Sequence, residues 1–530
     1  MRLLDLLAIQ VLPWALALAL AACDAPAADA DPASPDAPAG DLPADVVDDE
    51  VREVVDASDA IEETEATETA DVASEPLAAC APALAWFSEE TGPDFVYGSP
   101  ALTVSPGGRL LARRDPLGDL YVRMRDGARL GHDVREASGP LDAAWERRLV
   151  AVDGGRVELR DVASDQVLHT FDELEGAGWS LEGRSGSPGL ALLEGEGLAV
   201  ARSCWYVATG DERVTVTAWR LDDGSQAWQV TRPGSCSLFS WIESPWVLSA
   251  GPGRLLTADA ASSTLWVLST ADGATLAEAA VTTPGGEPPP RGSWMGEALL
   301  AVAVRPDGAE VAVTTPDGWL VRRALPQLTA IGEPRAVAVA PVNLQSYGPS
   351  VESPLAWSPA GNLLAHVGTD GQVALLDLDS GEDGPALPSP LPTEDGPLFP
   401  PGTPNSPAAL AFLPEGGGLL VAHERGVALW TCPGHATVVG EPEPVAVTLT
   451  LPATTVPAGA LEARVSVSGG RRPRVVTLLV GDAPADFAAT LGDTIATWVE
   501  AGSPSLAARV DDGLSSATSP AVALTVSAPR

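Results

Sequence analysis

The chain has 530 residues, 45% of them hydrophobic, and a formal net charge of −41 from 72 acidic against 31 basic residues, every one of the latter an arginine. A chain this negative repels DNA, RNA and anionic lipid headgroups, which disfavours a phosphate-backbone partner. The missing lysine also excludes Schiff-base catalysis, Ser-x-x-Lys chemistry and a phosphate-cradling Walker lysine.

The first 23 residues read MRLLDLLAIQVLPWALALALAAC. One arginine precedes an apolar run of about seventeen residues that ends in small side chains, the pattern of a secretion signal. Its end, Leu20-Ala21-Ala22-Cys23, resembles the lipobox of bacterial lipoproteins. That resemblance implies removal of residues 1–22, a lipid on Cys23, and a membrane anchor on the extracytoplasmic side of a bacterial cell envelope, periplasmic or surface. From Asp24 to Leu77, eighteen acidic residues stand against the single Arg52 among Ala, Pro and Thr. Such a stretch buries too little apolar area to offset chain entropy, so residues 23–79 are expected to form a disordered tether. As a flexible coil its ends lie about 40 Å apart.

Between 80 and 440 one pattern recurs: apolar strand, Pro/Gly turn, second strand, Gly-containing turn, third strand, polar turn. It begins at LTVSPGGRLLARRDPLGDLYVRMRDG (102 to 127) and returns at 141–165, 190–224, 246–273, 299–325, 356–381 and 410–430, seven units in all. No unit can bury its apolar face alone, which calls for packing against its neighbours about a common axis. The turns Ser105-Pro106-Gly107-Gly108 and Ser358-Pro359-Ala360-Gly361, with Arg305-Pro306-Asp307-Gly308 as a variant, resemble those of WD-repeat-like β-propeller blades. No unit carries the Trp-Asp dipeptide, and the uneven spacing leaves six or eight blades open.

In such a ring the chain start commonly supplies the last blade's missing strand, and Ala83 to Phe87 suits that role. The resemblance therefore implies that Cys80, just before that strand, is bridged to Cys432, just after the last third strand. Cys204 and Cys236 then pair within or beside the third unit. An even number of cysteines after Cys23 fits an oxidising compartment.

Past the Glu-Pro-Glu-Pro of 441–444 the pattern changes to alternating strands at 445–451, 461–467, 474–480, 496–500, 506–510 and 521–526. Their spacing predicts a small β-sandwich over 443–530. SVSGGRRPRVVTLLV and DDGLSSATSPAVALTV resemble bacterial immunoglobulin-like modules, for which a spacer at the far end of the ring is the expected role. The chain thus reads as all-β: a seven-bladed β-propeller followed by a small β-sandwich, after a disordered acidic N-terminal tether.

Chemistry is sparse. None of His132, His169, His366, His423 and His435 forms a His-Glu-x-x-His pair or lies at zinc spacing from a cysteine, and no Gly-x-Ser-x-Gly elbow occurs. Asp377, Asp379 and Asp383 cluster in one turn, where carboxylates suit either tight-turn chemistry or a calcium ion. Trp241, Trp246 and Trp294 lie in connections between units and are candidate contacts for a protein or a sugar. The expected function is a membrane-anchored, non-enzymatic interaction scaffold with an envelope or extracellular protein as partner and no cofactor. The alternative is a secreted propeller enzyme, lactonase-like or glycan-cleaving, using channel carboxylates and Ca²⁺.

Overall fold

The computed structural model describes Leu77, residues 80–89 and, between 101 and 528, all but the segments 134–138, 172–188, 209–210, 234–246, 285–298, 345–347, 391–406 and several shorter ones. The leader, nearly all of the tether, Cys23, Cys236, Trp241, Trp246, Trp294 and Asp379 lie outside the described residues.

The described structure is all-β, with short 3₁₀ turns such as Pro106–Gly108 and Glu194–Glu196. Seven antiparallel sheets follow the seven sequence units. The first holds Ala101–Val104, Leu110–Asp115, Gly118–Arg123 and Ala128–Asp133 in sequential order. The second holds a bridge at Leu141, then Arg147–Val152, Arg156–Asp161 and Val167–Phe171. The third and fourth again have four sequential strands, within 189–233 and 247–280. The fifth starts with Ala301–Val304, Glu310–Thr314 and Trp319–Ala324, and the sixth with Ala356–Trp357, Leu363–Val367 and Val373–Asp377. The seventh joins Pro407–Phe412, Gly418–His423 and Gly426–Thr431 to a strand from the other end of the chain, Ala83–Glu89. Its register runs from Ala83 opposite Thr431 to Glu89 opposite Gly426.

The turns between first and second strands explain the recurring Ser and Gly. In Ser105–Leu110 and Ser358–Leu363 the serine backbone N–H donates to the carbonyl five residues on, at 2.9 Å in both. Each buried serine hydroxyl accepts from the same residue's N–H, at 2.9 and 3.0 Å. Gly308 closes the variant turn at φ +68°, where a Cβ would lie 2.7 Å from the Ala250 carbonyl oxygen of the fourth sheet. Glycine is needed there for both backbone conformation and space.

Second and third strands are largely buried, and all five residues of Leu363–Val367 are. Burial on both faces follows from a neighbour on each side. Leu110 and Tyr121 of the first sheet pack with Leu141 and Trp145 of the second. Leu149 and Phe171 then meet Ala199 and Trp219, and Val200 and Val216 meet Leu255 and Trp266. Leu256 meets Val311, Ala312 meets Leu364, and Leu363 meets Leu419. The succession returns to its start, because Leu420 and Leu429 of the seventh sheet pack with Leu111 and Val122 of the first. Each fully buried Leu, Val or Phe among them contributes about 1.5–3 kcal/mol. A tryptophan device repeats across these seams. Trp86, on the last strand of the seventh sheet, donates from Nε1 to the Met124 carbonyl at 2.7 Å, and Trp228 of the third sheet does the same to Thr270 of the fourth.

Residues 445–528 form the sandwich. One sheet is Val445–Thr450, Gly459–Gly469 and Thr494–Val499; the other is Ala483–Thr490, Val475–Val480 and Ser505–Asp511 with two short strands. Its own core is Val465, Leu478, Leu506 and Val510 among others. The expected placement at a far end is corrected, because the module lies edge-on against the first sheet. Ala488 pairs with Asp133 and continues that sheet, while Val475, Ala489 and Leu491 enter the apolar cluster of Leu110 and Tyr121. Gly131, at φ +151°, permits the approach, since a Cβ there would come within 2.5 Å of the Ala489 Cβ.

Three arginines clamp the seam. Arg109, 4% exposed, donates to the carbonyls of Asp512 at 2.6 Å and Arg472 at 2.5 Å. Arg123 pairs with Asp511 at 2.8 Å and Arg125 donates to the Leu514 carbonyl at 3.1 Å. Burial lowers the Arg109 pKa, with Asp512 opposing the shift. Arg109→Ala is expected to cost about 2–3 kcal/mol, the range for hydrogen bonds from a charged group whose acceptors stay buried. Hydrogen exchange at 470–474 and 510–515 measures it. Unchanged protection there would mean that the apolar contacts hold the seam alone.

Candidate functional site

The first strands of the sheets lie side by side: Ala101–Val104 meets Pro407–Phe412, then Ala356–Trp357, Ala301–Val304, Val247–Ser249 and Gly189–Leu193 follow in turn. Their sequences, ALTV, PAALAF, AW, AVAV, VLS and GLALL, contain no carboxylate. Leu102, Val104, Leu192, Leu248, Val302 and Ala409 are half-buried there. The positions that these strands leave open are mainly small and aliphatic, with Thr103 and Ser249 as the polar ones.

Polar side chains concentrate instead toward the ends of the second strands: Arg113, Arg202, Asp259, Thr314, His366 and His423, all at most 3% exposed. His366 shows how such a group is held. Its Nε2 lies 3.0 Å from Asp383 Oδ1, and the other carboxylate oxygen of Asp383 accepts from Arg335 at 2.9 Å. Asp377 accepts the Ser380 N–H at 3.3 Å, a turn bond. The two described carboxylates of the acidic turn are thus engaged by protein groups. Among the described residues no group of three or more His, Cys, Asp or Glu is placed to hold a metal ion. Reading the sequence missed Arg335 and His366 as partners of Asp383, since the three come together only by strand pairing.

A largely buried charge cluster spans the first and second sheets. Asp119, 1% exposed, receives Arg148 Nη2 at 2.7 Å and Arg114 Nε at 3.4 Å. Arg148 also donates to Tyr121 Oη at 3.1 Å, and Tyr121 reaches Asp133 at 3.5 Å. Burial raises the Tyr121 pKa, against the effect of Arg148. For Arg148 burial acts downward, and Asp119, Tyr121 and Asp133 outweigh it, so its pKa is raised. These groups neutralise one another, the arrangement of a structural lock.

Cys80 and Cys432 are bridged, with Cα atoms 5.8 Å apart. Cys204 lies on the strand Leu198–Ala208. One large aromatic that the sequence reading passed over stands out of the sandwich: Trp498 is 69% exposed. In ATWVE it reads as one more alternating strand residue, and only the choice of face reveals it. Among the described residues no helix is long and apolar enough to cross a membrane. No protein-family model matches the chain and no curated protein is significantly similar to it, so its function is argued from its own residues.

Proposed function

We propose that the chain is a lipid-anchored, non-enzymatic interaction scaffold of a bacterial cell envelope, in which the seven sheets are the blades of a WD-like propeller. The observation that carries this reading is the row of six adjoining first strands, which are mainly aliphatic and contain no carboxylate. A scaffold needs no acid/base pair on those strands. The cyclic order of the apolar clusters and the contribution of Ala83–Glu89 to the last sheet support blades around an axis. The acidic segment before Leu77 then acts as the spacer between lipid and head, and connections between blades offer the contact surface to an envelope protein.

Two measurements test the proposal. Cys23→Ala is expected to abolish incorporation of labelled palmitate and to release the protein from washed membranes; labelling that persists would refute the anchor. The purified full chain, used as bait on detergent-solubilised envelope, is expected to retain a specific protein that the Trp294→Ala or Trp241→Ala variant holds less well. Turnover of a lactone or glycoside by the purified protein would refute the scaffold.

A further inference from the structure

Between the sandwich and the second sheet lies a cleft of about 280 Å³. One wall is the turn Ser164-Asp165 between the last two strands of that sheet, and the other is the outer face of the sandwich at Glu462, Asp493, Thr494 and Ala496. The walls are fixed to each other, because the Asp493 N–H donates to the Ala163 carbonyl at 2.8 Å. Trp498 projects from the same face two residues past Ala496. Opposite it in register is Ala460, so no bulky side chain stands across the strand pair and the indole remains 69% exposed.

We infer that this cleft, with Trp498 as its platform, binds a neutral saccharide. The hydroxyls of Ser164 and Thr494 both donate and accept hydrogen bonds, and the carboxylates of Asp165, Glu462 and Asp493 accept them, a set that matches a ligand dense in hydroxyl groups. An exposed indole offers a flat apolar face with a polar edge, which suits the C–H face of a pyranose ring. The carboxylates and the net charge of −41 repel an anionic glycan. A basic peptide is disfavoured by the guanidinium groups already present. Arg160 pairs with Asp165 at 3.4 Å, and Arg464 sits opposite Thr494 in register. Burial at a joint between two packed units is also where ligand clefts commonly form. The inference goes beyond the scaffold reading and does not depend on it.

The test uses the full chain in a detergent without a sugar headgroup, titrated by calorimetry with maltohexaose, cellohexaose and chitohexaose, and with hexa-arginine as the cationic probe. At least one hexasaccharide is expected to bind. Trp498→Ala, an exposed change that leaves the thermal transition in place, is expected to weaken that binding about tenfold or more. Glu462→Gln keeps a carbonyl acceptor and is expected to stay within about threefold of wild type. Failure of all three sugars at about 10 mM, far above the affinity of a built site, overturns the inference. So does unchanged binding by Trp498→Ala. Binding of hexa-arginine that Glu462→Gln abolishes would assign the cleft to a cationic partner and overturn it equally.

Discussion

Replacing Asp119 with alanine is expected to destabilise the fold by about 3–5 kcal/mol, because it strips the counter-charge from a buried guanidinium. Asp119 stands between Arg148, 2.7 Å away, and Arg114, 3.4 Å away. The side chain of Arg148 is only 7% exposed, and burial acts against its charge while Asp119 is the first group that restores it. Water cannot replace the lost carboxylate without opening the seam between the first and second sheets. Asp119→Asn keeps two polar atoms in place and is expected to cost less. The double variant Asp119→Ala with Arg148→Leu removes both charges, and its cost is expected to fall below that of Asp119→Ala alone. Urea unfolding of wild type, Asp119→Ala, Arg148→Leu and the double variant measures the cycle. A cost under about 1 kcal/mol for Asp119→Ala would place the pair in the range of solvated ion pairs and refute its role as a lock.

The seven units were legible because three strands and two turns of each carry strong local signals. Turns such as Ser358 to Leu363 need serine and glycine for backbone bonding, and second strands such as Leu363–Val367 are buried on both faces and read as mainly apolar runs, with His366 the one polar member. Fourth strands left no such trace. Gln226–Pro233 alternates buried Trp228 with exposed Gln226 and Gln229 at the rim, a pattern hard to separate from a loop. The strand that joins the sandwich to the first sheet was hidden for a similar reason. Ala483–Thr490, APADFAAT, contains Pro484 and Asp486, residues that argue against a strand. It is a strand because its edge meets Asp133 and its alanines meet the space left by Gly131, neither of which is local information. The cleft beside Trp498 is a product of that docking, so no reading of 480–500 alone reaches it.

Loss of the Cys80–Cys432 bridge should have the largest effect of any single change. The bridged residues are 352 apart in sequence, and the loop-entropy model assigns a closure of that length about 6 kcal/mol. Cys80→Ser and Cys432→Ser are each expected to lower stability by up to that amount, and reduction of the wild-type protein should match them. The structural consequence is specific. Among the described strands Ala83–Glu89 pairs with Gly426–Thr431 at the sheet edge, so once the link is cut this strand leaves without disturbing another described pair in its sheet. Its departure removes the Trp86 bond to Met124 and leaves the edge of Gly426–Thr431 open to pairing with another chain. Hydrogen exchange should therefore rise first at 83–89 and 426–431 and only later in the third and fourth sheets. The bridge also fixes the point from which the chain runs on to the sandwich at Val445, yet the sandwich has its own clamp at Arg109. Protection at 470–474 should consequently survive reduction. If it disappears together with that at 83–89, closure of the sheets and docking of the sandwich form one cooperative unit, and the seam between the seventh and first sheets is what couples them.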